Sequence, residues 1–308
     1  MKSGVRPLTP ELEEVARKTI NEVPDRRDED LLKIKEWLEK QTHIKARTDD
    51  QFLIIFLRAC KFSLERTKEK IDTYYAMRSA LPEFFTNRDP LLPELQAVMD
   101  TACQFGLSDI PEGGPLWFWR LSNYDPKTTR IEDIIKVMFM MEETILLEED
   151  SALVCGQHIF IDLAGVTMAH MLQFSPVVLK KFLQVWQVGY PTRPQQIHIV
   201  NIPSFFETLL NFVRSMLKEK LRKRLFFHTN IDSLKNEGLK AVLPEEYGGK
   251  SKSIKELGAI WKAKVESYRD YYLEDEKYGV DESKRPGRPK TTSELFGTEG
   301  SFRHLQLD

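Results

Sequence analysis

Apolar and polar positions alternate with helical spacing most clearly between residues 197 and 228. A short apolar run that includes Ile197 and Ile199 ends at Asn201-Ile202-Pro203. Two adjacent apolar stripes then follow, Phe205, Leu209, Phe212 and Met216 and, one position on, Phe206, Leu210, Val213 and Leu217. This spacing predicts a buried strand followed by an amphipathic helix with a wide apolar face. The basic segment from Lys218 to Arg224 comes next, so the pattern fits either a helix that closes an apolar cavity beside a membrane or ordinary core packing with a solvated basic turn.

The first 95 residues show only the helical period. Thr9 before Pro10, Asp49 before Phe52 and Ser63 before Leu64 are typical helix starts. Together with the amphipathic stretch 28–40, these signals predict four helices with short connections. We therefore expect a small N-terminal helical domain over residues 1–95.

From residue 115 onward, short apolar runs alternate with amphipathic segments. The runs 116–121, 158–163, 196–200 and 225–228 predict strands, and segments beginning near 131, 175, 203 and 233 predict helices. This alternation is typical of an α/β layer with a mostly parallel sheet. We expect this domain to span 96–273 and to end in a charged helix over 254–271. Residues 274–308 are polar and lack periodicity, which predicts a flexible polar tail.

Composition narrows the class of protein. Apolar residues make up 41% and charged residues 30% of the 308 positions, as in ordinary globular proteins. The formal net charge of −2 means that any electrostatic partner has to be bound by a local patch. The three cysteines, Cys60, Cys103 and Cys155, make no CxxC pair and no zinc spacing, which favours a reducing compartment and argues against a metal site. Since the N-terminus has no apolar signal segment and no run reaches the ~20 apolar residues that span a bilayer, we expect a cytoplasmic protein with transient, peripheral membrane contact.

Catalysis and nucleic-acid binding are two alternatives that motifs can test. The chain contains no G-x-S-x-G, P-loop, G-x-G-x-x-G or H-E-x-x-H motif. His158, Asp162 and His198 lie on neighbouring predicted strands and can form a polar site, but no nucleophile with a matched base accompanies them. The basic stretch from Arg285 to Lys290 has Pro286 where a minor-groove hook has arginine. We therefore expect no enzyme activity, no catalytic residues and no nucleic-acid partner.

Large apolar side chains are concentrated in the α/β half. Among them are Trp117, Trp119, Phe160, Phe182 and Trp186. Some must pack helices onto the sheet, yet a two-layer domain can also leave a cavity between its sheet and a displaceable helix. Composition by itself leaves plain packing and an apolar pocket both open.

Four motifs in order carry a resemblance to a known family. They are Phe56-Leu57-Arg58-Ala59-Cys60-Lys61-Phe62, Asp162-Leu163-Ala164-Gly165, Asn201-Ile202-Pro203 and the LPEEYGG segment from Leu243 to Gly249. They resemble the signature points of the CRAL-TRIO (Sec14-like) lipid-binding family over about residues 30–255. The nearest group resembles the branch of α-tocopherol transfer and cellular retinaldehyde-binding proteins, as an arthropod-type relative. Ala164 stands where the family's DLEG motif has an acidic residue.

The resemblance implies a fold and a site. The fold class is α/β, an N-terminal helical module and a lipid-binding domain whose sheet forms the floor of a pocket under a mobile helical gate. Carried over by position, the pocket wall consists of Ile161, Phe182, Val185, Trp186, Tyr190 and Ile197. The gate, the helix of the opening pattern, contributes Phe206, Leu209, Leu210 and Val213. Arg193, Lys220 and Arg224 match basic positions that bind phosphoinositide head groups, whereas Gln195 stands where the tocopherol protein has a further arginine.

The resemblance also implies a function. We expect an intracellular carrier that binds one tocopherol- or retinoid-like lipid, or a carotenoid or phospholipid, and transfers it between membranes with phosphoinositide-assisted opening of the gate. The alternative is a phospholipid- or phosphatidylinositol-binding regulatory module of the Sec14 type. No cofactor is expected. The expected partners of this monomer are the hydrophobic lipid and an anionic membrane surface.

Overall fold

The computed structural model describes residues 4–297, and its N-terminal part is helical. This part contains the helices α1 (Pro10–Ile20), α2 (Pro24–Glu39), α3 (Asp50–Ala59), α4 (Leu64–Ala80), α5 (Pro82–Phe85) and α6 (Pro93–Asp100), with the two-residue strand β1 (Ile44–Lys45) before α3. The predicted caps Thr9 and Asp49 accept hydrogen bonds from the backbone N–H groups of Leu12 and Phe52. The Ser63 side chain makes no such bond, although α4 begins after it.

A five-stranded sheet follows, with four parallel strands and one antiparallel edge. Its strands lie in chain order, β2 (Gln104–Asp109), β3 (Pro115–Arg120), β4 (Gln157–Asp162), β5 (Pro194–Val200) and β6 (Leu225–His228). β2 pairs antiparallel with β3, and the other pairs are parallel. The sequence pattern misses β2, which contains Gly106. A Cβ on this glycine would lie 2.6 Å from the Trp261 ring, so the close approach of that ring accounts for a glycine within a strand.

Helices connect the strands and close the C-terminal side. They are α7 (Ile131–Glu148), α8 (Asp150–Val154), α9 (Met168–Gln173), α10 (Pro176–Gln184), α11 (Glu207–Met216), α12 (Glu219–Arg222), α13 (Glu237–Val242), α14 (Ile254–Ser267), α15 (Arg269–Asp275) and α16 (Thr292–Phe296), with the strand β7 (Gly279–Val280) before α16. A single π-helical turn, Val185–Gly189, continues α10. The helix predicted near 233 begins at Glu237, and the helix predicted over 254–271 is divided at Tyr268.

The strand registers divide the sheet into two faces. Trp117, Ile159, Ile197 and Leu225 are aligned across four strands and therefore share a face. α7 covers this face, because Gln104 on β2 donates to its Ile134 carbonyl at 3.0 Å. The opposite face carries Phe118 and Phe160, and the ring of Tyr247 meets both edge-on at 5.3 and 5.6 Å.

Residues 274–297 correct the expectation of a flexible polar tail. β7 pairs antiparallel with β1, and the Arg285 guanidinium makes two 2.7 Å hydrogen bonds to the Asp72 carboxylate on α4. Phe296 is 1% exposed. The segment is ordered because a buried aromatic ring and ion pairs to the helical domain hold it, and neither leaves a periodic signal. The remainder of the predicted tail, 298–308, lies outside the described residues.

A buried ionic cluster joins the helical domain to α7 and α15. Arg78 and Arg88 both donate to Glu143 and to Asp275, and all four residues are buried. Each charge has an opposite partner, which is the condition under which charges remain in a low-dielectric interior.

Candidate functional site

The residues of the expected pocket come from three neighbouring parts of the fold. Ile161 and Ile197 lie on β4 and β5, on the face that α7 covers. Phe182 lies on α10, Val185 and Trp186 in the π turn, and Tyr190 directly after it. Phe206 ends a short 3-10 turn, and Leu209, Leu210 and Val213 lie on α11. The ten residues thus lie on two strands, on α10 with its π turn and the residue after it, and on the segment from Phe206 through α11.

Burial separates these ten residues into two sets. Val185, Tyr190, Ile197 and Phe206 are buried in the core. The other six, which are Ile161, Phe182, Trp186, Leu209, Leu210 and Val213, are only half-buried. Helix α11 contains no buried residue at all, although its apolar stripe packs on the rest of the domain. A helix with this little buried surface can be displaced at low cost.

A small apolar cluster forms the seam between gate and wall. Its buried members are Leu183, Leu217 and Leu221, and Val213, Phe182 and Trp186 pack against them half-buried. Phe182 also lies 6.4 Å from Trp119 on β3 and 6.1 Å from Phe139 on α7, measured between ring centroids. Trp119 and Phe139 therefore belong to the side wall, and position matching missed them as wall residues.

Tyr190 has a second contact that sequence reasoning did not anticipate. Its hydroxyl donates to Glu143 at 2.5 Å and accepts from Arg78 at 3.1 Å. Its ring stacks on Phe139 with the centroids 4.6 Å apart. Tyr190 thus anchors the end of the π turn to the buried ionic cluster.

The C-terminal end of the gate is held by one side-chain amide. Gln187 in the π turn donates from Nε2 to the Met216 carbonyl at 3.1 Å, and its Oε1 accepts from the Lys218 backbone N–H at 3.1 Å. Between them, Leu217 is extended, with φ −74° and ψ 139°. We call the two bonds of Gln187 the gate clamp.

Lys70 on α4 fixes the same π turn from the other side. Its ammonium donates to the carbonyls of Val188 at 2.5 Å and Tyr190 at 3.3 Å. Burial, together with the nearby charge of Lys218, lowers the pKa of Lys70 to about 8. A π turn is an irregular, uncommon element that is frequent at functional sites, and this one receives ties from both the gate and the helical domain.

A basic cleft of about 930 Å³ opens between the helical domain and the ends of β4 and β5. Its lining includes seven cationic side chains, which are Lys61, Arg66, Lys70, Arg193, Lys218, Lys220 and Arg224, and two carboxylates, Glu69 and Glu112. The structure brings the three expected residues, Arg193, Lys220 and Arg224, into this one cleft. Lys61, Arg66 and Lys70 were missed, although Arg66 and Lys70 have the i, i+4 spacing that places two charges on one helix face.

Two cations of the basic cleft also have structural contacts. Arg193 donates from Nη1 to the Leu153 and Val154 carbonyls at 2.7 Å, which satisfies the last turn of α8. Arg224 donates to the Pro194 carbonyl. Burial and the proximity of Arg224 lower the pKa of both Arg193 and Lys220. Cations that lower one another's pKa in this way form a site that an anion stabilises.

Asp162 is the point at which three sequence motifs meet. Its Oδ1 accepts from the Ala164 backbone N–H and from Asn201 Nδ2, both at 2.8 Å, and its Oδ2 accepts from the Tyr247 hydroxyl at 2.5 Å. Asn201 reaches it from a left-handed conformation, with φ 56°. The Asp162 carboxylate, which the sequence analysis considered for a polar site, thus connects the ends of β4 and β5 to the LPEEYGG segment through hydrogen bonds.

His198 is the second member of that expected polar site. Its Nε2 lies 3.1 Å from Gln196 Oε1, so the proton is on Nε2, and its Nδ1 accepts from His228 Nε2 at 3.0 Å. The pair joins β5 to β6 on the sheet face away from the gate. Within residues 4–297, no group of three or more His, Cys, Asp or Glu side chains is arranged to hold a metal ion.

Exposed large apolar side chains occur on α9 and in the segment from Phe205 through α11. Leu172 and Met168 on α9 are 72% and 48% exposed, and Phe205 and Phe212 are 36% and 37% exposed. Among the described helices, none has both the length and the hydrophobicity required to cross a membrane.

Two family profiles match the chain. Residues 108–249 match the CRAL/TRIO domain, and residues 23–95 match the Pinta-like UBA domain. The first match includes the strands β3 to β6, the gate and the LPEEYGG segment.

Similar curated proteins cover most of the chain. Alpha-tocopherol transfer protein-like of Mus musculus is 30% identical, over 79% of this chain and 71% of its own length. The Homo sapiens protein of that name is 28% identical, over 87% and 78%. Clavesin-2 of Homo sapiens is 28% identical, over 91% and 85%. Among solved structures, the crystal structure of Sfh5 is 16% identical, with a TM-score of 0.49, over 89% of this chain and 99% of that one.

Proposed function

Because this chain belongs to the CRAL/TRIO-domain family, which implies lipid binding and transfer, we propose that it carries one hydrophobic lipid between membranes. The lipid, of the tocopherol or retinoid kind, binds between the sheet floor and α11. Helix α11 is the gate through which it enters and leaves. The proposal includes the expectation that an anionic head group in the basic cleft assists the opening.

The observation that carries the proposal is the poor burial of the gate. Helix α11 has no buried residue, and the six half-buried apolar side chains of wall, floor and gate pack against the buried apolar clusters. An apolar ligand between them removes further apolar surface from water at roughly 25 cal/mol per Å². Ligand binding therefore stabilises the closed gate in water.

A membrane offers the gate an alternative burial site. Phe205 and Phe212 are exposed apolar side chains just before and on the gate, and Met168 and Leu172 are exposed on α9. When these side chains insert into the interfacial layer of a bilayer, the gate lies against the membrane. The apolar inner surface that gate opening exposes then enters the bilayer and not water. The cost of opening thus falls at the membrane, where the lipid has to be released.

The gate clamp supports a role for the basic cleft in opening. Gln187, Lys70 and Lys218 all line the cleft, and they hold both the π turn and the end of α11. An anionic head group that pairs with Lys70 competes with the hydrogen bond from Lys70 to the Val188 carbonyl. If it also pairs with Lys218, it draws the residue that follows Leu217 away from Gln187. Binding in the cleft then shifts the population toward the open gate.

The first experiment identifies the ligand. The purified full chain is extracted with organic solvent, and the extract is analysed by mass spectrometry. A co-purifying prenyl chromanol, retinoid or carotenoid supports the proposal, and a phospholipid supports the Sec14-type regulatory alternative. If no lipid co-purifies and none is taken up from added vesicles, the carrier function is wrong.

The second experiment tests the basic cleft with the double variant Lys220→Ala and Arg224→Ala. Each cation near an anionic surface contributes about 1 kcal/mol, so we expect liposome binding to weaken by about 2 kcal/mol and transfer to slow. Ligand binding in solution should not change. The matched control is Lys255→Ala with Lys277→Ala, which removes the same charge outside the cleft. Equal transfer rates for the two double variants would contradict the head-group part of the proposal.

A further inference from the structure

The segment 279–297 runs from the helical domain to the side wall of the proposed pocket. It begins at β7, which pairs with β1, and it ends in α16. Helix α16 packs against α4 of the helical domain and against α10, which carries Phe182 of the side wall. We call residues 279–297 the strap, because they connect the two domains on the outside of α10.

Charged side chains fasten the first half of the strap to α4. The Asp72 carboxylate accepts two hydrogen bonds from the Arg285 guanidinium, both at 2.7 Å, and one from Lys290 Nζ at 2.8 Å. The side chains of Arg285 and Asp72 are only 7% and 16% exposed. Charge-assisted bonds of this bidentate kind are stronger than neutral ones, and burial protects them from screening by salt. Asp72 is therefore the polar anchor of the strap.

The basic stretch from Lys284 to Lys290 has its partners within the molecule. Each of its four cations is paired with a carboxylate at 2.7 to 3.0 Å. The pairs are Lys284 with Asp281, Arg285 with Asp72, Arg288 with Glu294 and Lys290 with Asp72. Neighbouring carboxylates thus neutralise a stretch that looks like a cationic surface in the sequence. Its charges serve to fasten the strap.

An aromatic side chain fastens the other end of the strap. Phe296 on α16 is 1% exposed, and α16 begins at Thr291, whose hydroxyl accepts from the Glu294 backbone N–H at 3.2 Å. Lys180 on α10 donates to the Gly297 carbonyl at 2.7 Å. Burial of a whole phenylalanine side chain is a large favourable contribution for a five-residue helix. Phe296 is therefore the apolar anchor.

The strap and the pocket lie on opposite sides of α10. At 3.6 residues per turn, Phe182 is about 200° around the helix from Lys180. Lys180 bonds to the strap, whereas Phe182 and Leu183 belong to the apolar seam between wall and gate. The strap thus supports the wall from the side that faces away from the lipid.

Helix α10 has few other restraints. Two of its nine residues, Leu179 and Leu183, are buried. On the side of the helical domain, Lys181 pairs with Glu83 at 2.7 Å, and both side chains are partly exposed. A partly exposed ion pair contributes little to stability. The strap is therefore a main support of α10 outside the pocket.

We propose that the strap holds α10 in place from behind and thereby limits the rate at which the lipid leaves the pocket. This inference rests on the proposed carrier function and adds a restraint on that same site. While both anchors are in place, α10 moves away from the gate only if the Lys180 bond breaks or Phe296 becomes exposed. Loss of either anchor lowers the cost of that movement, so the wall opens more often.

The first test measures the release of an NBD-labelled α-tocopherol from the full chain into phosphatidylcholine vesicles that contain a rhodamine-labelled lipid, which quenches the probe on arrival. Phe296→Ala removes the apolar anchor, and Asp72→Asn removes the charge of the polar anchor. In each variant we expect the release rate to rise about tenfold, as the loss of one hydrogen bond to a charged group implies. A folded Phe296→Ala chain with the wild-type release rate would overturn the inference.

Asp89→Asn is the matched control for Asp72→Asn. Asp89 also accepts two hydrogen bonds from one arginine, Arg269, at 2.8 and 2.7 Å, but this pair lies outside the strap. We expect the Asp89 variant to release the probe at the wild-type rate. Equal rates for the Asp72 and Asp89 variants would also overturn the inference.

Hydrogen exchange provides a second readout that needs no ligand. In both anchor variants we expect faster exchange over 176–184, in α10, and unchanged exchange over 131–148, in α7. Unaltered exchange over 176–184 would show that the strap does not support the wall. A wild-type chain that does not bind the probe contradicts the carrier function for this class of lipid, and the exchange over 176–184 still decides whether the strap holds α10.

Discussion

The two helices that flank the proposed lipid site, α7 and α11, are held in opposite ways. α7 contributes Glu143 to a cluster in which Arg88 is 0% exposed, and its stripe toward the sheet is buried along its length. α11 has no buried residue, and its C-terminal end is held by the two hydrogen bonds of Gln187. The comparison shows that the domain concentrates its buried contacts on the α7 side and leaves α11 with few, which is the arrangement that the proposed carrier function requires.

The largest expected effect comes from a substitution in the buried ionic cluster on the α7 side. Arg88→Ala leaves Glu143 and Asp275 with one arginine fewer between two buried carboxylates, and we expect a loss of about 3–5 kcal/mol in the free energy of unfolding. Urea denaturation followed by circular dichroism measures it. Arg288→Ala removes an 86% exposed guanidinium and should change the value by less than about 0.5 kcal/mol. An Arg88 variant as stable as the Arg288 variant would mean that the cluster does not hold the domains together.

The same substitution, leucine to alanine, in the buried core and in the gate sharpens the comparison. Leu53→Ala removes a leucine that is 0% exposed in the core, and we expect a loss of about 2–5 kcal/mol. Leu210→Ala on the half-buried gate should cost about 1 kcal/mol, because less surface leaves water at that position. Thermal unfolding of both variants provides the measurement. Equal losses would indicate that the gate is as firmly packed as the core.

A smaller effect concerns the gate clamp. Gln187→Leu removes both hydrogen bonds to the end of α11. We therefore expect the opening free energy that hydrogen exchange measures over 207–218 to fall by about 1–2 kcal/mol. Exchange over α7 should stay unchanged. Ser215→Ala is the control, since the Ser215 hydroxyl bonds only to Phe212 within the gate. Equal protection of 207–218 in Gln187→Leu and in the wild type would exclude the clamp as a restraint.

The smallest effect is a pH dependence at the edge of the sheet, on the face away from the gate. Burial, and the nearby imidazoles of His228 and His158, lower the pKa of His198 to about 4. Because its pKa in the unfolded chain is about 6.5, the stability it contributes is present above that pH and is lost as the pH falls toward 4. Melting temperatures at pH 7 and pH 5 should therefore differ more in the wild type than in His198→Gln. A drop of the same size in both would assign the acid sensitivity to other groups.

The sequence predicted much of this architecture from periodicity and caps. The α/β class, the four parallel strands and the bounds of α4 and β6 follow from local patterns, and the resemblance to the CRAL-TRIO family is confirmed. Strand β2 was not predicted, because the glycine within it is explained only by the close approach of Trp261, which lies more than 150 positions away. The order of residues 274–297 depends on pairing with Asp72, which is equally remote.

The site was predicted less completely than the fold. Position matching named cations just before β5, on α12 and just before β6, but not Arg66 and Lys70, because a cleft between two domains is not visible in either domain alone. The clamp by Gln187 could not be predicted, since a glutamine in a helix gives no sign of its partners.

The small sheet of β1 and β7 has a consequence for the synthesis of the chain. Ile44 is paired with Val280, so the helical domain receives one of its strands from a segment that is synthesised more than 230 residues later. Asp275, the partner of Arg78 and Arg88, emerges equally late. Until then these arginines cannot be buried without unpaired charge. The helical domain therefore cannot dock fully onto α7 until Asp275 has been synthesised. Fragments truncated before residue 275 should depend on chaperones more than residues 1–308 do.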